Sequence, residues 1–232
     1  MGKILAAEVR WCDNNKKERL CGSNNEEGYS GSIQIISEEG EITNTGIIGS
    51  EEIEIEAKKK IKLVGNKGGE GYSVLAWKNL RLNGEEILID NQVKSVHNIF
   101  AYSREKITSI ELLQSNNEIV LNSDKVIEIY GKESKIISGG KTTKVRAAKI
   151  IFGNSNYNSN IELSGAIQVN AGEIYNSKDT KLIINGIGYI NVDSITNEGE
   201  LVIKQNVTIN VKGDFKNQGK FTNEVMLNLE LE

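Results

Sequence analysis

Apolar and polar residues alternate strictly in Val207-Thr-Ile-Asn-Val211. Alternation of this kind predicts a strand with one buried face and one wet face. From Ile195 to Phe221 the apolar set Ile195, Leu201, Ile203, Val207, Ile209, Val211, Phe215 and Phe221 is spaced by Glu, Lys, Asn, Asp and Gly. Within it, Ile195-Thr-Asn197-Glu-Gly199 recurs twenty residues later as Phe215-Lys-Asn217-Gln-Gly219. Each copy reads as a strand end running into a turn, because Asn and Gly tolerate left-handed backbone at least cost. Short strands separated by a turn at a fixed interval are the mark of a solenoid.

The repeat begins at Ile33-Gln-Ile35, and a step of nineteen links Ile42, Ile61, Leu80 and Ile99. The same step links Gly46, Gly65 and Gly84, and again Ile55, Val74, Val93 and Leu112. Stacked coils about 4.8 Å apart would turn these into inner Ile, Leu and Val ladders with Gly and Asn corners. This register places Lys58, Trp77 and Val96 on one column, and Tyr72 on the Ile53 column, at least partly buried. Between about residues 113 and 173 strand-sized runs such as Ile119-Val-Leu121, Val126-Ile-Glu-Ile129 and Ile161-Glu-Leu163 persist at uneven spacing, which predicts coils with insertions. Gly65–Ser73 and Gly153–Asn160 are the expected protruding loops. No segment after residue 30 carries a 3.6-residue period. The chain thus reads as an all-β parallel β-helix with coils of about 19–21 residues. That allows roughly 11 coils and a rod on the order of 50 Å long. The alternative is a β-sandwich of hairpins, whose turns have no reason to repeat residue by residue.

Residues 1–30 do not fit the repeat and are expected to form a short N-terminal cap, leaving 31–232 as one β-helical domain. Ile4, Leu5 and Trp11 are its apolar side, and Asp13 to Arg19 reads as a charged, solvated loop. Cys12 and Cys21, the only cysteines, flank that loop. A disulfide closing it is favoured over two free thiols.

Composition narrows the function classes. The net charge of −4, with Lys and Glu interspersed, argues against a nucleic-acid surface. No apolar run is long enough to cross a bilayer, and Glu8 and Arg10 interrupt the opening stretch where a signal peptide would need to be apolar. The final alternating run, Val225 to Glu232, carries no cap, so the chain is expected to be an excerpt of a longer protein.

Candidate chemistry is sparse. His97 is the single His, with no nucleophile and orienter in its neighbourhood of sequence. Two cysteines and one His do not make a zinc site. Asp90, Asp124, Asp179, Asp193 and Asp214 are isolated. Asp193 and Asp214, about one coil apart, are the one pair of acids that stacking could bring together, and two turn aspartates is the favoured reading. No catalytic residue, metal or cofactor is expected. Glu52, Glu54 and Glu56 with Lys58, Lys59, Lys60 and Lys62 read as a soluble outer face. Trp77 and Tyr157 are the rings placed to contact a ligand.

Ile42-Thr-Asn-Thr-Gly-Ile, Ile195-Thr-Asn-Glu-Gly-Glu-Leu and Phe215-Lys-Asn-Gln-Gly-Lys-Phe resemble the repeats of filamentous-haemagglutinin-type exoproteins of bacterial two-partner secretion. The resemblance spans about residues 33–224 in style, with its strongest motifs at 42–57 and 174–223. It implies a right-handed parallel β-helix without catalytic residues in its repeats. The family's secretion domain carries Asn-Pro motifs, which a chain with no Pro cannot hold, so the resemblance implies shaft or passenger. Three functions follow as expectations. The leading one is a secreted or surface-displayed stalk or adhesin that meets a surface glycan or protein through its loops. The others are a carbohydrate-binding or carbohydrate-cleaving β-helix, and a bactofilin-like polymer assembled end to end.

Overall fold

The computed structural model describes residues 11–14, 17–20, 31–64, 72–154, 158–225 and 228–231. From Ser32 onward every pairing is parallel, each inner strand joining the coils before and after it and the terminal strands one neighbour only. Together they form one continuous seventeen-stranded sheet wound into a solenoid of about nine turns. Trp11–Asn14 and Lys17–Leu20 form a separate antiparallel pair, so part of the expected solvated loop is a hairpin. The proposed pairing of Cys12 with Cys21 lies outside the described residues.

Each turn has three faces. Face I is built from rungs 32–37, 52–57, 79–84, 98–103, 118–123, 142–147, 166–171, 187–192, 207–211 and 228–231. Face II is built from 41–44, 60–63, 86–89, 106–109, 126–129, 149–152, 173–176, 194–197 and 215–217. Face III runs through 48–50, 74–76, 93–95, 112–115, 134–138, 159–164, 180–185, 200–203 and 220–223.

Alternation sends every second side chain inward, and equivalent positions stack. On face II, Ile42, Ile61, Ile87, Ile107, Ile127, Ile150, Ile174 and Ile195 form one column that ends on Phe215. None of these isoleucines is more than 5% exposed. Branching at Cβ leaves Ile few rotamers to lose in a strand, and its burial stabilises by about 1.5–3 kcal/mol per residue. Face I adds Ile55, Leu82, Ala101, Leu121, Val145, Val169, Ile190 and Ile209. Thr143 interrupts a neighbouring apolar column, and its buried hydroxyl donates to the Ser164 carbonyl at 2.9 Å.

The columns differ from the fixed nineteen-residue step. Ile42 does pair with Ile61 and Leu80 with Ile99, but the two pairs belong to different faces, because Ile61 pairs with Ile87 and Leu80 with Ile53. Val74 pairs with Val93 and Val93 with Leu113, not Leu112, and Ile55 stands beside Leu82. Along the isoleucine column the steps are 19, 26, 20, 20, 23, 24, 21 and 20 residues. The long steps absorb residues that a uniform period would spend on further coils, hence about nine turns and not 11. Between residues 113 and 173 the extra length falls at 130–133, 139–141 and between Phe152 and Ser159, as the uneven strand spacing implied.

Two corner glycines have a different cause from the one expected. Gly199 and Gly219 are outside the left-handed region. A Cβ on Gly199 would collide with the carbonyl oxygens of Ser177 and Thr180, and one on Gly219 with that of Gly199. Close approach of stacked backbones, not φ, demands Gly here. Outside, charges bridge coils: Lys60 to Glu86 at 2.6 Å, Lys62 to Glu41 at 2.6 Å and Lys106 to Glu128 at 2.5 Å.

Ile107→Ala is expected to cost about 2–5 kcal/mol through the cavity it leaves, and Gly199→Ala about 1–3 kcal/mol through forced backbone separation. Lys106→Gln, which removes a surface bridge, should cost no more than about 1 kcal/mol. Urea unfolding of the three variants checks the ranking, and equal effects would mean the inward register is wrong.

Candidate functional site

The sequence-predicted residues scatter over the solenoid. Trp77 lies half-buried in the corner between faces III and I, where the register shifts opposite Ser50 and Glu52. Val96 occupies the equivalent corner one coil on, since Val74 and Val93 are paired, but Lys58 belongs to a different corner. Tyr72 is half-buried as expected, yet it precedes face III and is not on the Ile53 column; the Lys94 ammonium sits 5.6 Å from its ring centroid. Tyr157 lies outside the described residues. His97 is exposed at a corner, and its backbone carbonyl accepts from the Ser115 hydroxyl and from Asn117 N–H. Asp193 and Asp214 do occupy successive corners between faces I and II. Each faces a lysine: Asp193 with Lys212 at 3.6 Å and Asp214 with Lys216 at 3.0 Å. No group of three or more metal-binding side chains occurs among the described residues.

Two features do gather residues. The first is the edge between faces II and III. The two long insertions both fall there, between Leu63 and Val74 and between Phe152 and Ser159. Four coils separate them, about 19 Å along the axis. Glu111 sits on the same edge, and desolvation, reinforced by the charge of Asp90, raises its pKa above the ordinary carboxylate value.

The second is the outer side of face I, where register stacks residues that are remote in sequence. One outward column reads Arg81, Phe100, Val120, Lys144, Gln168, Tyr189, and the next reads Asn83, Tyr102, Asn122, Arg146, Asn170, Asn191, Asn210. The Arg81 guanidinium lies 5.8 Å from the Phe100 ring centroid. Lys144 bonds Glu118 at 2.7 Å, and that hydrogen bond raises its pKa, with smaller contributions from Tyr189 and Tyr102 on either side. Asn191 donates to Asn170 at 3.1 Å and Asn210 to Asn191 at 2.7 Å. Tyr102 is 43% exposed, and Arg146 makes no hydrogen bond or ion pair with a described residue.

At the edge of this surface a cleft of about 400 Å³ opens between Asn122, Ser123 and Asp124 on one coil and Arg146, Ala147 and Ala148 on the next. Its origin is a mismatch of corners. Asn122 pairs with Arg146 and Val126 with Lys149, so three residues on one coil oppose two on the other. The ladder is interrupted between these two pairs and resumes with the Lys149 N–H donating to the Lys125 carbonyl at 2.9 Å.

Sequence reading missed this surface. Arg81 to Phe100 and Asn83 to Tyr102 keep the nineteen-residue step and were within reach of it. Lys144, Arg146 and Tyr189 join only through steps of 24 and 21 residues. Comparison of the chain with protein-family models, with curated proteins and with solved structures finds no match.

The Glu111 shift carries a pH signature. A raised carboxylate pKa means the folded state holds the proton more tightly than the unfolded chain, so the charged form costs stability above that pKa and the cost vanishes as pH falls through it. Glu111→Gln should therefore raise the melting temperature at pH 7 and lose its advantage towards pH 4. A melting temperature that falls at pH 7 would contradict the assignment.

Proposed function

We propose that the chain is a non-enzymatic rod, a stalk or adhesin segment of the filamentous-haemagglutinin type that is secreted or displayed on a bacterial surface. The observation that carries this reading is the placement of both long insertions on one edge of an otherwise continuous solenoid. A core that tolerates additions only at corners is a stiff support, and sequence added at a single edge is free to vary without disturbing the stack. The scattered acids support the absence of turnover, because Asp193 and Asp214 are each compensated by lysine and largely exposed.

Replacing residues 65–71, and separately 154–158, by three-residue corners should leave the circular dichroism spectrum unchanged and lower capture on a glycan array or on host cells by about tenfold or more. Pectin, alginate and glycosaminoglycans should pass through unaltered. Turnover abolished by Asp193→Ala or Asp214→Ala would overturn the reading.

A further inference from the structure

We infer that the cleft between the fifth and sixth rungs of face I and the adjoining Tyr102 ring bind a uronic-acid residue of an acidic, unsulfated glycan. This deepens the proposed recognition role and rests on it, adding a saccharide subsite on the sheet to the contacts made at the edge. The cleft's volume of about 400 Å³ falls in the range of small-ligand sites. Its walls are chemically divided. Arg146 offers a planar guanidinium that makes no hydrogen bond or ion pair with a described residue, and such a fork matches a carboxylate in bidentate fashion. Asn122 adds an amide with both donor and acceptor capacity. Ser123 is 2% exposed and turned inward beside Ser103, so on this coil the outer wall is carried by Asn122 and Asp124. Asp124, exposed at the corner, accepts from further ligand hydroxyls.

One coil away, Tyr102 stands in the same outward column as Asn122 and Arg146, and its exposed ring is a flat apolar platform. A carboxylate, several hydroxyls and an apolar ring face are the surface of a uronate. A neutral sugar would leave the Arg146 fork without its partner. A sulfated chain would bring dense negative charge to a site with one guanidinium and the Asp124 carboxylate. An acidic peptide would supply the carboxylate but no ring of hydroxyls for Asn122 and Asp124.

The test is calorimetric titration of the purified chain with oligogalacturonate, with the same oligomer after reduction of its carboxyls to alcohols, and with sulfated dextran oligomers. Oligogalacturonate should bind, its reduced form at least about tenfold more weakly. Arg146→Gln and Tyr102→Ala should each weaken binding by about tenfold or more, and Arg146→Lys should fall between wild type and Arg146→Gln, since it keeps the charge and loses the fork. Lys216→Gln, remote from the cleft, should bind as wild type. Equal binding of the reduced and unreduced oligomers, tighter binding of sulfated dextran that survives Arg146→Gln, or no binding of oligogalacturonate would each overturn the inference. Array capture lost on shortening the edge loops, with no response of the chain to oligogalacturonate, would reject the cleft while leaving the display role standing.

Discussion

Everything in this solenoid depends on inward β-branched side chains staying in register from coil to coil. The isoleucine column on face II runs through eight coils and is closed by Phe215, with no rung skipped. Parallel pairing fixes the neighbouring strands about 4.8 Å apart, so a side chain can satisfy its packing only if the same position on the next coil is also apolar and of similar size. A slip of one residue would turn the whole inward set to solvent. Length variation is thereby confined to corners, and the outer columns are released to carry charge, aromatic rings or amides.

Buried amides in the interior build a ladder of their own. Asn176 donates to Asn197 at 2.7 Å and Asn197 to Asn217 at 2.6 Å, each amide also reaching a backbone carbonyl of the following corner. The ladder has a costly foot. Phe152 occupies the rung beneath Asn176, and the Asn176 side-chain amide oxygen Oδ1 has no hydrogen-bond partner. An unsatisfied buried acceptor costs about 1–3 kcal/mol, which the two further amide bonds above it offset. Face III uses hydroxyls in the same way, with Ser50, Ser95 and Ser115 buried and donating to backbone carbonyls.

Strand existence and the solenoid itself were legible, because alternation and recurring corner motifs are local signals. Ile195-Thr-Asn-Glu-Gly and Phe215-Lys-Asn-Gln-Gly do stack as paired rungs, twenty residues apart. What local pattern could not reveal was the register across residues 65–71. A step of nineteen fits both the true partners Ile42 and Ile61 and the false partners Ile61 and Leu80, since every inward position is Ile, Leu or Val and the columns are chemically alike. The error propagates outward: with the inner columns misassigned, Trp77 looked like the exposed ring, whereas Tyr102 and Tyr189 are brought beside Lys144 only by coils of unequal length. The cleft was hidden for the same reason, being a product of two corners that differ by one residue.

The register past that insertion is the central claim, and oxidative cross-linking reads it directly. In a background with Cys12→Ser and Cys21→Ser, Lys60→Cys combined with Glu86→Cys joins outward residues of adjacent rungs, whereas Lys60→Cys combined with Asn79→Cys joins residues that only a uniform nineteen-residue step would make neighbours. Paired rungs lie within the Cα separation a disulfide spans, about 4.4–6.8 Å. Rapid intramolecular cross-linking of the first pair and none of the second is the predicted result, and the reverse would contradict the fold described.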